Sequence, residues 1–584
     1  MTGTRRDRLV DLGLAVLVAL VVLGPMTFRR GFALRGDMVL VPHQPWKDAW
    51  LALDGSAPRF VPGDAVLSVV TTVVPGDLLQ KALLLGALVL AGTGAGRLVA
   101  QHSAVGRAAA IVLMMWNPWV LERLSIGQWG SVVGYAALPF VVTAAVRVRD
   151  EVRGGVPVLT LWLAFTALWS PASALVGALT AICVVVLGRR PRAVLVTLGG
   201  AVLVNLPWLV PSLLNGDRID APGGQFDAFA ARAESGAGLL ASVASLGGIW
   251  KSSVVPQERT VALVVLLSCV TTVVALLALW RTRRDVGPAD RTTRHGLLLL
   301  AGLAVALTVV PTLPGLTDAF DTAARRFGAL SALRDGHRFL GPAVLVLLPG
   351  VAAAGEFLWR AGRPGREAVR GAAVVLALLP ALCLPSMAWG LGGDLRPVTY
   401  PAEWFRAKAV VDRDVADRGG ATVVLPWRGT YRGFDWNDSR AQLDPAPRFF
   451  EGEVLIDDRI LLGGEADDAV LANEDPRLAA ITRALEDEDP ARALADQGVA
   501  RILVEKGNGV RADEVPVGDV LHDGGRLTVV ALDDPVVTTS RGTTRRAVIL
   551  GGDVMAVLGC LVAAACIRRR QVYGEPAVDS GRGT

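Results

Sequence analysis

Apolar residues in this chain come in blocks of spanning length, each closed by Arg or by Pro and Gly, and nothing else in the sequence constrains the fold as strongly. An α-helix rises about 1.5 Å per residue, so about 20 apolar residues cross the roughly 30 Å hydrocarbon layer of a bilayer. Inside lipid a helix satisfies its own backbone hydrogen bonds, which an isolated loop or sheet edge does not. The blocks fall near 9–26, 78–100, 105–121, 130–147, 156–169, 171–188, 193–213, 260–280, 295–312, 339–359, 371–389 and 546–567, with 105–121 and 156–169 the weakest. Hydrophobic residues fill 52% of 584 positions and the mean hydropathy is +0.45, more apolar surface than a soluble core would hide. The predicted fold class is a polytopic α-helical membrane protein of about 12 transmembrane helices.

The basic residues predict its orientation. They are nearly all Arg and cluster in alternate connections: Arg97 and Arg107; Arg147, Arg149 and Arg153; Arg189, Arg190 and Arg192; Arg281 to Arg294; Arg360 to Arg370; and Arg568-Arg569-Arg570. By the positive-inside rule these connections are cytoplasmic, and so are both termini. Arg5-Arg6-Asp7-Arg8 before the first block resembles a signal peptide, but the run reaches Pro25 without a small-residue cleavage site and is read as a retained first helix. The expected location is the plasma membrane. A net charge of +5 spread this thinly does not suit nucleic acid, and the short inside loops carry no nucleotide-binding motif.

The longer connections, 27–77, 117–129, 214–258, 313–338 and 390–545, then lie outside. The predicted organisation is a membrane domain over 1–390, with external loops 27–77, 214–258 and 313–338. An extracytoplasmic domain over 391–545, a last spanning helix over 546–567 and a cytoplasmic tail over 568–584 follow. Residues 391–545 are rich in Asp, Glu and Arg, with strand-like runs at Ala421–Leu425, Ala500–Val504 and Leu527–Leu532. Helix-like runs at Ala402–Asp417, Pro476–Glu486 and Pro490–Gln497 alternate with them, which suggests an α/β or α+β domain. The five cysteines all lie in apolar blocks without metal-ligand spacing, so the external domain folds without disulfides.

Three external stretches hold residues suited to chemistry. The first loop, FALRGDMVLVPHQPWKDAWLALDGSAPRFVPGD, offers Asp37 between Gly36 and Met38, with His43, Asp48, Asp54 and Asp64 beyond. A well-placed carboxylate accepts a proton from a hydroxyl as general base; solvated loop acids would look the same. The second stretch, WNPWVLERLSIGQW, carries Glu122, Arg123 and Gln128 among Trp116, Trp119 and Trp129. The tryptophans fit an interfacial belt, whereas a charged pair at the rim of a membrane faces a cavity or a partner. The third stretch places Arg325, Arg326, Arg334, His337 and Arg338 outside, against the charge bias. Arg contacts phosphate in bidentate fashion, and Arg334 and Arg338 are four apart, on one face of a helix. In the external region Trp427, Phe434 and Trp436 lie beside polar groups and suit either a sugar or docking onto the bundle.

Asp37 early in the first external loop, a dozen helices and a C-terminal extracytoplasmic domain together resemble the GT-C superfamily of membrane glycosyltransferases. WNPWVLERLSIGQWG, SLGGIWKSSVVP at 245–256 and LRDGHRFLGP at 333–342 are similar to the membrane half of actinobacterial arabinofuranosyltransferase-like proteins, over roughly residues 1–390. The resemblance implies an inverting transfer on the outer face. An arabinofuranosyl group or another pentose or hexose would pass from a polyprenyl-phosphate donor to a cell-envelope glycan. Asp37 would be the general base, and Arg334 or Arg338 would neutralise the leaving phosphate. Glu122, Arg123, Gln128, His43 and His337 are the further candidates for substrate binding. Asp37 stands in GDM and not in a DxD pair, so no metal or other cofactor is predicted. A transporter of a lipid-linked glycan and a non-catalytic envelope-assembly scaffold remain the alternative classes.

Overall fold

The computed structural model describes residues 4–215, 223–461, 470–471, 475–537 and 542–572. Every apolar block lies on helix. Among the described residues nine helices are long and apolar enough to cross a membrane: Arg5–Thr27, Gly76–Leu98, Ala104–Ser125, Trp129–Arg149, Pro191–Asn215, Ala262–Arg284, Pro288–Thr312, Gly336–Ala361 and Thr543–Arg569. Glu367–Cys383 and Pro385–Gly392 make a tenth only as a pair bent by 72°. The blocks at 156–169 and 171–188 form the shorter helices Gly155–Ala167 and Pro171–Val186. At 13 and 16 residues they measure about 20 and 24 Å, less than a bilayer core. The predicted count of about 12 therefore becomes nine or ten helices of spanning length plus two shorter ones.

Small residues let these helices pack closely. Gly92 meets Ala15 where the first helix lies along Gly76–Leu98, and Gly350 sits against the Ala275 backbone. The last helix packs on Gly155–Ala167 and, through Gly552 and Gly559, on Pro191–Asn215. Leucines such as Leu195, Leu213, Leu263 and Leu277 stay exposed on the outer faces of the bundle, as lipid contact requires. At the Arg-rich end Arg107 bonds Asp7 (2.9 Å) and Asp11 (3.0 Å), and His102 meets Glu356 at 2.6 Å. The opposite end gathers the long connections.

The C-terminal part is built on a five-stranded mixed sheet. Its strands are β1 (Ala421–Leu425), β2 (Val454–Leu455), β3 (Val499–Glu505), β4 (Asp519–Asp523) and β5 (Leu527–Ala531), in the order β4-β5-β3-β1-β2. β1 pairs parallel with β2 and β3, and β5 pairs antiparallel with β3 and β4. β1 and β3 are buried at every position, as central strands covered on both faces are; β1 is an apolar run, and β3 is one apart from Arg501 and Glu505, which pair with Asp414 and Arg432. Helix Ala402–Arg418 packs against β5, and Pro490–Asp496 against β3.

This part rests directly on the first long loop. Phe32–Ala33 pairs antiparallel with Pro397–Val398, and Gly36 bridges Gln442 in a hairpin whose strands are Tyr431–Gly433 and Ala441–Leu443. Tyr400 donates to the Leu40 carbonyl at 3.0 Å and packs edge-on to Phe32. Trp404, Phe434, Trp436 and Phe449 join Tyr400 in one aromatic cluster. Phe434 and Trp436 thus pack in the cluster around Tyr400, which itself touches the loop, while the Trp427 indole bonds Thr482 at 2.9 Å inside the domain. None of the three is an exposed sugar platform.

Candidate active site

Asp37 is positioned by two glycines. Gly36 has φ +52° and Gly127 φ +86°, a region open to glycine at no steric cost. A Cβ on Gly36 would lie 2.0 Å from the Ile126 carbonyl oxygen, and one on Gly127 would meet the Arg35 carbonyl oxygen at 2.3 Å. The turn at 35–38 is therefore pressed against the turn at 126–127, and the Asp37 N–H donates to the Ile126 carbonyl at 2.9 Å. On its other side the Gly36 N–H donates to Ala441 at 2.9 Å, and the Leu443 N–H to Gly36 at 2.8 Å. Arg35 braces the turn through the Ser125 carbonyl (2.9 Å) and Asp394 (2.6 Å).

The half-buried Asp37 carboxylate accepts two side-chain hydrogen bonds. Gln128 Nε2 donates to Oδ2 at 3.3 Å and the Tyr431 hydroxyl to Oδ1 at 2.5 Å. Burial and the adjacent Asp37 charge push the Tyr431 phenol well above its ordinary pKa, so it remains a donor. The Lys251 ammonium stands 5.0 Å from the centre of the Tyr431 ring; burial lowers its pKa, and the Asp37 carboxylate opposes that shift.

Behind Gln128 lies a buried polar network. Helix Pro118–Ser125, capped by the Asn117 side chain on the Val120 N–H (3.1 Å), delivers Glu122 and Arg123 to the interior. Arg123 is fully buried and makes a bidentate pair with Asp335 at 2.7 and 2.9 Å. It also donates to Gln128 Oε1 at 2.6 Å, which turns the amide N–H₂ of Gln128 toward Asp37. Its remaining contact is His337 Nδ1 at 2.6 Å. A guanidinium only donates, so Nδ1 is the acceptor and the proton sits on Nε2, which faces Glu122 at 3.3 Å. Glu122 adjoins Glu234, itself held by Arg259 Nε at 2.7 Å and the Gly248 N–H at 2.8 Å. Burial alone would raise the Asp335 carboxyl, but Arg123 and Arg338 hold it well below the usual carboxylate range. Arg338 lies 3.0 Å from Asp335, is one-third exposed, and lines a crevice with Trp119, Ser131, Tyr135 and Ser173.

The chain is similar in fold to arabinofuranosyltransferase AftD from mycobacteria. The match covers 92% of this chain and 40% of AftD, with a TM-score of 0.58 and 15% sequence identity. Two structures of an AftD mutant agree, each with a TM-score of 0.55, over 90% and 91% of this chain. The chain thus spans about two-fifths of AftD's length. No protein-family model and no curated protein matches the sequence.

Within this AftD-like fold the predicted residues divide. Asp37, Gln128, Arg123, His337, Glu122 and Arg338 fall in one connected network with Asp335. Arg334 does not. Asp335 is non-helical (φ −87°, ψ 76°) and separates two 3₁₀ segments, so Arg334 and Arg338 share no helix face. Arg334 reaches Gln225 at 3.4 Å and stacks over Phe229. His43 is exposed and its Nδ1 lies 3.2 Å from the Thr71 carbonyl, apart from the network. Trp116, Trp119 and Trp129 are 6%, 3% and 6% exposed, so they form no lipid-facing belt. Trp119 instead fixes the His337 segment by donating to its carbonyl at 2.9 Å. Sequence reading missed Tyr431, Glu234 and Arg259 as parts of the site, and gave Lys251 no role although it stands inside SLGGIWKSSVVP. Asp335 stands inside LRDGHRFLGP and was given no role of its own there.

Proposed function

We propose that the chain is a membrane glycosyltransferase that moves a sugar, arabinofuranose being the leading candidate, from a polyprenyl-phosphate donor to a cell-envelope glycan on the outer face. The observation that carries this reading is the continuous path from Asp37 through Gln128, Arg123 and Asp335 to the part-exposed Arg338. It joins an acid able to take a proton to a cation able to meet a phosphate. In the reaction an acceptor hydroxyl oxygen attacks the anomeric carbon, and the bond from that carbon to the donor phosphate oxygen breaks. The electron pair leaves on the phosphate, which gains negative charge as Arg338 meets it. The acceptor proton passes to Asp37, and the anomeric configuration inverts. Arg123 holds Gln128 and Asp335 in place and acts through them. The network also supplies two hydrogen-bonded guanidinium–carboxylate pairs, Arg123 with Asp335 and Arg259 with Glu234, so those four buried charges are compensated.

Replacing Asp37 by Asn keeps the size of the side chain and removes the base. With purified protein, a polyprenyl-phosphate sugar and an envelope oligosaccharide, kcat is expected to fall by about 10²–10⁴-fold, the usual worth of a general base, with an unchanged melting profile. Full transfer by the Asn variant would remove Asp37 from the chemistry and return the scaffold and transporter readings.

A further inference from the structure

The mechanism above leaves the Tyr431 phenol and the Lys251 ammonium without a task. The two oxygens of Asp37 have different surroundings. Oδ2 is held by Gln128, which Arg123 ties into the buried network. Oδ1 is met only by the Tyr431 hydroxyl among the described residues. A general base must lie within hydrogen-bond reach of the proton it removes. Of the two oxygens Oδ1 is the one not tied into the buried network, and the phenol stands where a hydroxyl to be deprotonated would meet it. To a carboxylate, a phenol and a sugar hydroxyl offer the same thing: one O–H donor.

The origin of the two walls points the same way. Gln128, Arg123, Asp335 and Arg338 sit at or beside the ends of apolar helices Ala104–Ser125 and Gly336–Ala361, the side from which a lipid-linked donor would come. Tyr431 comes from the C-terminal hairpin and Lys251 from the segment before helix Ala262–Arg281, both outside the spanning helices. Among the described residues no acceptor takes a hydrogen bond from the Lys251 ammonium, which lies over the Tyr431 ring and within the field of Asp37.

We infer that Asp37 Oδ1, the Tyr431 hydroxyl and the Lys251 ammonium form the seat of the acceptor hydroxyl, and that the phenol occupies it until a hydroxyl of a non-lipid glycan displaces it. The inference rests on the transferase reading. The ammonium donates to an oxygen of the incoming sugar beside the attacking one, while the displaced phenol turns away from Oδ1. The C-terminal part then belongs to the site as its acceptor wall.

The test uses the full chain, decaprenyl-phosphate arabinofuranose as donor and a methyl oligo-arabinofuranoside as acceptor. No transfer by the wild type to this or other envelope oligosaccharides would sink the transferase reading itself. With transfer established, Tyr431→Phe is expected to lower the acceptor KM about threefold to tenfold, the worth of one hydrogen bond no longer to be displaced, with the donor KM unmoved. Lys251→Gln is expected to raise the acceptor KM by a similar factor and to spare the donor KM. An acceptor KM that is unchanged or raised in Tyr431→Phe, or a shift confined to the donor, overturns the inference. A second measurement does not depend on turnover. The chain has 4 tyrosines, so 3-fluorotyrosine labelling gives a spectrum in which Tyr431 is assigned by its loss in Tyr431→Phe. Adding the oligosaccharide should move that resonance toward its position in Asp37→Asn. A resonance that stays still, or that moves with decaprenyl phosphate alone, counts against the seat.

Discussion

The placement of one carboxylate depends on atoms that are absent from two residues. Gly127 carries no Cβ where one would lie 2.3 Å from Met38 N and 2.4 Å from Asp37 N. Such contacts cannot be relieved by rotating a side chain, since both neighbours are backbone. Its φ of +86° adds strain for any L-residue, about 1 kcal/mol or more. Gly127→Ala is therefore expected to push the 35–38 turn away and cut kcat by about tenfold or more, as an ångström of misplacement in a catalytic group does. Purified Gly127→Ala would be assayed for transfer beside the wild type. Retention of the full kcat would show that the turn is not what places Asp37. The same scale explains why Arg123 is a poor surface-charge candidate and a good anchor. It is fully buried, and its charge is tolerable only because Asp335, Gln128 and His337 together take its four Nη–H donors.

The hairpin at 431–443 is an element whose position is fixed by what it docks on. Its neighbours in the C-terminal part grip the first loop through Arg448 on Asp64 (3.0 Å) and Lys47 on the Pro447 carbonyl (2.6 Å). Burial, with Lys408 nearby, brings the Lys47 ammonium down to about 7, against the pull of Glu451, Glu453 and Asp412. In the unfolded chain this lysine titrates near 10.4. Between those values the unfolded state binds the extra proton, so raising the pH favours the folded state, and the gain is lost as pH falls through about 7. Thermal unfolding of the wild type should thus shift upward from pH 7 to pH 9 relative to Lys47→Met, which lacks the titration. Parallel curves for the two proteins would show that this contact does not titrate in the window.

At the scale of the whole molecule the bundle has two chemically different ends. Arg107, Arg149 and Glu356 mark one, and the Asp37 network and the sheet mark the other. A transfer that uses a lipid-linked donor outside the cell requires the second end to face out, and the Arg clusters predict that orientation. In a background without the five native cysteines, Asp513→Cys in the C-terminal part should react with a membrane-impermeant maleimide in intact cells, and Arg283→Cys only after lysis. The reverse pattern would invert the protein and remove the proposed function with it. Asp513 and Arg283 are both exposed in the fold, so labelling reports sidedness and not burial.

Hydrophobic block length determined the helical bundle from the sequence alone, because lipid admits few other solutions for runs of about 20 apolar residues. Apolar strand runs likewise marked β1, β3 and β5, since central strands buried on both faces need continuous apolar side chains. Asp37, Glu122, Arg123, Gln128, His337 and Arg338 were readable as unusual charges or amides beside membrane segments. Only the tertiary structure decided which of them meet. Asp335 breaks the helix expected to align Arg334 with Arg338, and the tryptophans expected at a lipid interface fill the interior instead. Tyr431 reaches Asp37 across 394 positions, and Glu234 pairs with Arg259 in a loop without periodicity. No local pattern encodes such encounters: a hydrogen bond between distant segments depends on where two turns and a docked sheet bring their backbones, and that is a property of packing.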